Sequence, residues 1–403
     1  MIVTSLDIGG LTIKTASLNT ETNEINLYTI PLPLLTEFPL PDLHFNNLTI
    51  LDISKIYSVY DINHINNNIK NVLDNISKII EFTNPNLKEG IDALILMGSS
   101  LSDSLRNTII NRILISKYIL RKFLKDNSKI FIYTNSRKFI EERDIFSYNI
   151  NREIVLTHKI GVIPFIESIG TLTDTDKNNS IIVEMGTSSM AIFPSIKHMK
   201  EDYEILKIGL FSSLSNFGFK YKLFNHLHLY TEPKTLFIDL LSMISDFDES
   251  IRPFFDKTLD LLFSGIPLLM QTTIKTGSFQ TLLNEVYGDT YADESIINEY
   301  TTQILLRKIF LDLKYMINGI ILENLTLRLF SNKPKIVLLG YGEYILDYIT
   351  NELNLERILI SSILRNKYLS IYATSIGPII DYLNKLNLNI DVNRIEIMQK
   401  SIV

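Results

Sequence analysis

The sequence predicts a mixed α/β fold built from two halves of similar plan, and three features support this prediction. A strand followed by a glycine turn occurs at residues 5–14 and again at residues 181–189. Three antiparallel strands at the start give way to alternating helices and strands, the pattern of a mixed sheet. The run 335–343 is a further apolar strand that ends in a glycine turn. Two copies of strand and glycine turn, about one domain length apart, indicate a duplicated fold.

The first half of the chain is expected to form a sheet flanked by helices. Strands are predicted at residues 2–8, 11–18, 24–30, 93–97 and 129–133, and helices at 65–82 and 101–124. The strands are short apolar runs bounded by turn residues. The helix at 65–82 repeats its apolar residues with a helical period. The mixed-sign run 137–144 predicts a solvated loop or helix.

The second half repeats this plan from about residue 161. Strands are predicted at residues 180–184, 189–195, 203–208 and 335–340, and helices at 294–330, 344–353 and 375–386. Gly319 lies inside the long helical stretch, where glycine costs about 1 kcal/mol relative to alanine. It therefore predicts a break in the helix or a close approach of another helix.

Composition indicates an ordinary globular protein. The 403 residues, 46% of them hydrophobic, suffice for two domains with separate cores. A net charge of −6 gives no overall attraction to nucleic acid or anionic membranes. Cysteine is absent, which excludes a disulfide or a thiolate nucleophile. No apolar stretch approaches the ~20 residues that span a bilayer, so we expect a cytoplasmic protein without nucleic-acid or membrane partners.

The first turn has the residue types of a phosphate site. Its residues are Asp7, Ile8, Gly9, Gly10, Leu11 and Thr12. Glycine tolerates positive φ and carries no side chain, so successive main-chain N–H groups can converge on an anion. Asp7 is placed to hold Mg²⁺ through water, since this ion prefers oxygen ligands and keeps several waters. A lone turn of this kind is more often a plain hairpin turn, but a second copy favours phosphate binding.

The second and third turns extend the candidate site. The second consists of Gly186, Thr187, Ser188 and Ser189, and it follows the carboxylate of Glu184. Mg²⁺ is therefore expected near Asp7 and Glu184, with the phosphate at the two turns. The third consists of Gly340, Tyr341, Gly342 and Glu343, and it opens a predicted helix. A junction of strand, glycine turn and helix presents a helix N-terminus to a ligand.

A serine-rich segment between a predicted strand and helix has two interpretations. Ser and Asp commonly cap helix N-termini, which is the simpler interpretation of this segment. Alternatively, Ser99, Ser100 and Asp103 face the cleft between the halves and contact the second substrate.

The order of the three turns resembles the phosphate-1, phosphate-2 and adenosine motifs of the sugar kinase, heat-shock protein 70 and actin superfamily. More narrowly, the chain resembles the archaeal hydantoinase/oxoprolinase-like proteins of tetrahydromethanopterin-linked one-carbon metabolism, which include the methanofuran-biosynthesis synthase. That family's Asp-Ile-Gly-Gly strand and nearby lysine are matched by residues 7–10 and Lys14. Its Met-Thr-Gly-Glu-Leu-x-Asp segment is matched loosely by residues 97–103, and its Gly-x-Gly-Glu-Phe-Leu segment by residues 340–345.

The resemblance implies a duplicated ribonuclease H-like fold, that of the actin-like ATPases, with a cleft between two domains. The first domain would comprise residues 1–155 plus 375–403, and the second residues 156–374 with a helical insertion. Catalytic roles are implied for Asp7, Lys14 and Glu184, and nucleoside binding for the turn at residues 340–343. The implied cofactors are Mg²⁺ and ATP or another phosphorylated ligand. The expected partner is a phosphorylated small molecule, and a homo-oligomer is compatible with the sequence.

The second turn departs from the family pattern. Ala191 stands where the family has a closing carboxylate, and Met190 stands where it has a hydroxyl. A second acid in a phosphate site usually positions the metal or the attacking group. Two hypotheses follow. One is a transferase or small-molecule kinase-like enzyme that resembles the methanofuran-pathway synthase and acts on a diphosphate or ATP-activated substrate. The other is a catalytically degenerate nucleotide-binding protein with a regulatory or assembly role.

Overall fold

The structure is a computed structural model, and the predicted strand at 203–208 and most of the predicted helices at 65–82, 101–124 and 294–330 lie outside the residues that it describes. The described residues are 1–8, 12–31, 84–97, 116–147, 160–186, 190–193 and 332–397, with scattered residues in 74–81, 249–258 and 311–330. The chain divides into two compact units. Unit 1 comprises Met1–Ser168 and Tyr372–Val403, and unit 2 comprises Ile169–Ile371.

Unit 1 contains a seven-stranded mixed sheet. Its strands are β1 (Ile2–Ile8), β2 (Thr12–Asn19), β3 (Glu24–Pro31), β4 (Ile91–Leu96), β5 (Leu124–Tyr133), β6 (Phe139–Glu141) and β11 (Glu396–Ile397). Their order across the sheet is β11-β3-β2-β1-β4-β5-β6. β1 pairs antiparallel with β2 and parallel with β4, and β4 pairs parallel with β5. The carboxyl ends of β1, β4 and β5 therefore share one edge, where open α/β sheets bind ligands.

Unit 2 contains a four-stranded sheet of the same plan. Its strands are β7 (Ser180–Met185), β8 (Met190–Phe193), β9 (Lys335–Gly340) and β10 (Arg357–Leu359), in the order β10-β9-β7-β8. β7 has an antiparallel partner in β8 and a parallel partner in β9, as β1 has in β2 and β4. β7 and β9 are nearly continuous apolar runs because parallel strands are covered on both faces. The predicted mixed α/β fold is confirmed in both units.

Five α-helices are described over their full length. They are α1 (Val162–Glu167), α2 (Asp174–Asn178), α3 (Glu343–Thr350), α4 (Ile360–Ile363) and α5 (Ala373–Lys385). Short 3₁₀ segments occur at Pro85–Glu89, Arg121–Phe123, Glu142–Ser147, Asn351–Leu353, Lys367–Tyr372 and Val392–Arg394. None of the described helices is long and apolar enough to cross a membrane.

The backbone preceding α1 touches α5 at a pair of glycines. A Cβ built on Gly377, inside α5, would lie 1.6 Å from the carbonyl oxygen of Gly161. A Cβ on Gly161 would lie 2.6 Å from the carbonyl oxygen of Thr374. No side chain fits at either position, so this approach of two backbones in unit 1 requires glycine at both.

Arg137 departs from the solvated loop or helix expected at residues 137–144. Its guanidinium is bonded to both oxygens of the Asp381 carboxylate on α5, with Nη2 to Oδ1 at 2.7 Å and Nε to Oδ2 at 3.2 Å. Nη2 also lies 3.0 Å from Oε2 of Glu167 on α1. The buried Tyr133 hydroxyl donates to Asp381 over 2.8 Å. Arg137 is thus an internal anchor for α5, because its neutralising carboxylates come from distant helices, whereas the other charged residues of the run are exposed or half-buried, as expected.

Other differences from the predicted elements are local. The strands β6, β10 and β11 were not predicted, since each has only two or three residues. β5 begins at Leu124, where the sequence predicts the end of a helix. Gly319 is helical, and no described atom lies within 4 Å of a Cβ built there, so the described residues show neither a break at this position nor a close approach to it.

Candidate functional site

A row of three polar side chains crosses the unit 1 sheet at the end of β1. Asp7 on β1 is opposite Lys14 on β2, and Lys14 is opposite Thr29 on β3. Directly opposed residues of antiparallel strands place their side chains on the same face, close enough to interact. The turn at residues 9–11 begins two positions after Asp7. The predicted carboxylate and lysine of the first motif therefore lie side by side next to this turn.

Asp7 is buried, with 2% of its surface exposed. Its Oδ2 accepts a 2.8 Å hydrogen bond from the hydroxyl of Thr374, in the first turn of α5. Its Oδ1 has no hydrogen-bond partner among the residues that the structure describes. A buried acceptor left unpaired costs about 1–3 kcal/mol, more if charged, and buried polar atoms are normally matched by a partner. Oδ1 of Asp7 therefore fits a cation or a bound water.

Hydroxyl groups hold the start of α5 against this row. Thr374 supplies one such hydroxyl, and Tyr372 supplies another, which lies 2.7 Å from Oγ1 of Thr29. The Ser5 hydroxyl donates to the Ser375 carbonyl. These groups are all buried, so the bonds form away from water and set the position of α5 on the face of the sheet that carries Asp7.

Glu184, the carboxylate of the second motif, is buried on β7 of unit 2. Glu184 pairs with Ala191 on β8, which is also buried. On the other side it pairs with Leu339 on β9. A carboxylate at position 191 would lie beside that of Glu184, where like charges directly opposite destabilise a sheet. The position that carries the second acid in the resembled family is thus an apolar part of the sheet here.

The residue before Gly186 is bonded to the third motif. The N–H of Gly342 donates to the carbonyl of Met185 over 3.2 Å. Gly340 has φ of +93°, and a Cβ there would lie 2.4 Å from the same carbonyl oxygen. A Cβ on Gly342 would lie 2.0 Å from Sδ of Met185. The group that closely approaches Gly342 in the structure is therefore Met185, and the glycines permit the contact with β7.

The carboxylate of Glu343 points into unit 2 and is fully bonded. Its Oε1 accepts the N–H of Ser361 at 2.9 Å and the Ser361 hydroxyl at 2.7 Å. Its Oε2 accepts the Ser370 hydroxyl at 2.7 Å. Glu343 has no exposed surface. The sequence predicts that it contacts a nucleoside, whereas the structure places it beneath the glycine turn as a support. Burial raises its pKa to about 7, with a small further contribution from Asp347.

We expect the stability of unit 2 to fall as pH rises through the range in which Glu343 ionises. The folded state keeps the proton up to about pH 7, whereas the unfolded chain releases it near the ordinary glutamate pKa of 4.5. The folded state binds more protons in this window, so its free energy of unfolding drops by up to about 3 kcal/mol between pH 5 and pH 8. Urea unfolding at both pH values measures the drop. The same drop in Glu343→Gln would contradict the assignment to this residue.

Nine predicted site residues lie outside the described residues. They are Gly9, Gly10, Leu11, Thr187, Ser188, Ser189, Ser99, Ser100 and Asp103. Thr12 is the first residue of β2, and Gly186 directly follows β7. Within the described part of the chain, no group of three or more His, Asp or Glu side chains is arranged to hold a metal ion.

Sequence reasoning missed the residues that support these turns. Thr374 and Tyr372 support the row at Asp7, and Ser361 and Ser370 support Glu343. One weak signal exists, since residues 370–375 contain four hydroxyl side chains in an otherwise apolar stretch. The sequence does not show their partners, because Thr374 lies 367 residues from Asp7.

Comparison with known proteins adds little to this geometry. No family model matches the sequence, and no curated protein matches it. Among solved structures, the chain is similar to an exopolyphosphatase from Cytophaga hutchinsonii at 11% identity, over 87% of this chain and 98% of that one, with a TM-score of 0.28. A TM-score this low does not support an argument about fold or function. The functional argument therefore rests on the residues and the topology of this chain.

Proposed function

We propose that this chain is a phosphate-binding protein of the sugar kinase, heat-shock protein 70 and actin superfamily, with its duplicated ribonuclease H-like fold. The plan of the two sheets supports this proposal. In each unit a central strand, β1 or β7, has an antiparallel partner on one side and parallel strands on the other. Each central strand also ends in a carboxylate followed by a glycine turn.

The observation that carries the proposal is the environment of Asp7. This carboxylate is buried at the carboxyl end of the central strand, with one oxygen bonded to Thr374 and the other unmatched. Lys14 is directly opposite it on β2. A carboxylate for Mg²⁺, a cation and a glycine turn are the groups that phosphate binding needs at one place.

The proposed ligand is ATP or another phosphorylated small molecule, held with Mg²⁺. In each unit, the glycine residues that follow the central strand in sequence would offer main-chain N–H groups to phosphate oxygens. Asp7 would hold the ion through water, and Lys14 would neutralise phosphate charge. When bound, Mg²⁺ supplies charge stabilisation of the phosphoryl group. The narrower proposal, a transferase like the methanofuran-biosynthesis synthase, rests on the motif matches at residues 7–14, 97–103 and 340–345.

A second candidate is a nucleotide-binding protein with little turnover. The observation that favours it is Ala191, an apolar residue beside Glu184 where the resembled family carries an acid. Removing one preorganised charge-stabilising group can lower a rate on the order of 10²–10³-fold. Phosphate release measured beside binding separates the candidates. Tight binding with negligible release supports the second candidate, and release at an ordinary enzymatic rate supports the first.

Asp7→Asn tests the proposed function. We expect the variant to fold and to bind pyrophosphate and ATP about tenfold more weakly in the presence of Mg²⁺, a loss of about 1.4 kcal/mol. The amide keeps an acceptor for Thr374 but lacks the negative charge that holds the ion. Titration calorimetry with and without Mg²⁺ measures the effect, which should vanish when the ion is removed.

Asp92→Asn is a matched control in the same unit. Asp92 lies on β4 and accepts the N–H of Ile2, at the opposite end of β1 from Asp7. Its substitution should leave binding of both probes unchanged. The proposal fails if Asp7→Asn binds both probes like the wild type, or if its only defect is a lower melting temperature without ligand.

A further inference from the structure

The turn between β9 and α3 is supported from below by a chain of hydrogen bonds. The N–H of Gly340 donates to Oγ of Ser370 over 3.1 Å, and the Ser370 hydroxyl donates onward to Oε2 of Glu343. All three residues are buried. Where Glu343 is ionised, the bond from the Ser370 hydroxyl is charge-assisted, and such bonds are roughly twice as strong as those between neutral groups.

The other oxygen of Glu343 ties the same turn to α4. Oε1 accepts both the N–H and the hydroxyl of Ser361, the second residue of α4. The Ser361 hydroxyl also lies 3.1 Å from the Tyr344 hydroxyl, one residue after Glu343. One carboxylate thus joins the start of α3, the start of α4 and the 3₁₀ segment that contains Ser370.

The turn that Glu343 supports lies directly against the end of β7. The backbone of Gly340 lies close to the carbonyl of Met185, and the N–H of Gly342 donates a hydrogen bond to the same carbonyl. Met185 immediately precedes Gly186, the start of the second predicted phosphate turn. A displacement of the Gly340–Gly342 backbone would therefore be passed to the entrance of that turn, since packed backbones cannot move independently.

No described cation pairs with Glu343. The charge that acts on it within α3 is Asp347, one turn later, whose carboxylate is itself paired with Nε of Arg357 on β10 at 2.6 Å. The bonds to Glu343 come from uncharged serine hydroxyls and one main-chain N–H. The carboxylate is therefore held for the geometry of its hydrogen bonds rather than as half of an ion pair.

We infer that Glu343 is a positioning residue that, through Ser370 and Ser361, sets the backbone of the Gly340–Gly342 turn and, through Met185, the start of the phosphate turn at Gly186. The inference deepens the proposed function, because it assigns to Glu343 control of that turn without contact with the ligand. Glu343 is suited to this role because its carboxylate is fully bonded inside unit 2.

Hydrogen exchange without ligand tests the positioning directly. In Glu343→Gln, the exchange of the Gly340 and Gly342 amides should accelerate about tenfold, which corresponds to about 1.4 kcal/mol, while amides of β1 keep their rates. Ser370→Ala should accelerate Gly340 in the same way and leaves the carboxylate in place. Asp347→Asn is the matched control on the same helix and should change neither amide. Unchanged exchange at Gly340 in both Glu343→Gln and Ser370→Ala would overturn the inference.

Binding of pyrophosphate in Mg²⁺ supplies the second measurement. In a Glu343→Gln protein with a wild-type melting temperature, the dissociation constant should rise about tenfold, and Asp347→Asn should bind as the wild type does. If the Gly340 and Gly342 amides of Glu343→Gln exchange faster but the variant binds pyrophosphate as tightly as the wild type, the inference is overturned. The Gly340–Gly342 turn would then not influence phosphate binding. If the wild type binds neither pyrophosphate nor ATP, the proposed function fails, and faster exchange still supports the positioning role.

Discussion

Gly377→Ala is expected to destabilise unit 1 by about 3 kcal/mol or more, at or above the upper end of the usual cost of overpacking. The added Cβ would lie 1.6 Å from the carbonyl oxygen of Gly161 and 2.6 Å from its carbonyl carbon. Backbone atoms cannot rotate away as a flexible side chain can. The segment before α1 and α5 must therefore move apart, and the contacts around both are weakened.

Calorimetry and urea unfolding measure this effect. A loss of about 3 kcal/mol corresponds to a fall in melting temperature of about 6 °C or more for a unit of this size. Gly319→Ala is the matched control, because Gly319 is helical and a Cβ there meets no described atom within 4 Å. It should stabilise unit 2 by up to about 1 kcal/mol. A Gly377→Ala variant as stable as the wild type would show that the backbones can separate freely.

Asp381→Ala is expected to cost about 3 kcal/mol, the lower end of the range for breaking a buried ion pair. The substitution removes both carboxylate oxygens that bond Arg137, and it removes the acceptor of the Tyr133 hydroxyl. Glu167 still contacts the guanidinium, which places the expected loss at the lower end. α5 would be loosened from β5 as a result.

A double-mutant cycle separates the pair from its surroundings. Arg137→Met with Asp381→Ala should be less destabilising than the sum of the single changes, because each single change already removes the contact between the two side chains and the double variant loses it only once. Glu141→Gln is the control, since its partner Arg143 is 77% exposed and such surface pairs contribute about 0–1 kcal/mol. Additive losses in the urea unfolding of the cycle would show that Arg137 and Asp381 stabilise unit 1 independently.

Much of the architecture could be predicted from local patterns. β7 and β9 are nearly continuous apolar runs, and parallel strands covered on both faces require such runs. The first three strands follow from short apolar segments separated by turn residues. Two-residue and three-residue strands such as β11 and β10 carry too few residues for a period to show, so they could be found only by their pairing.

The candidate site was predicted less completely. The first motif was recognised because Asp7 and the glycines after it are adjacent in sequence. Lys14 was recognised with it because β2 follows β1 after only a few residues and pairs with it. Glu343 was predicted to face a nucleoside because it follows a glycine turn, and the direction of a side chain at a helix start depends on what packs above and below it. Its partners Ser361 and Ser370 come from later segments of unit 2.

By itself, the sequence determined the longer strands and the carboxylates near their ends, since these depend on short apolar runs and on residues that are adjacent in the chain. Only the tertiary structure decided which buried polar groups are paired. Thr374 reaches Asp7, Ala191 lies opposite Glu184, and Asp381 neutralises Arg137. The physical reason is that a buried polar atom needs a hydrogen-bonding partner, and the packed chain supplies it from any part of the sequence. The local sequence around one residue therefore does not identify its partner.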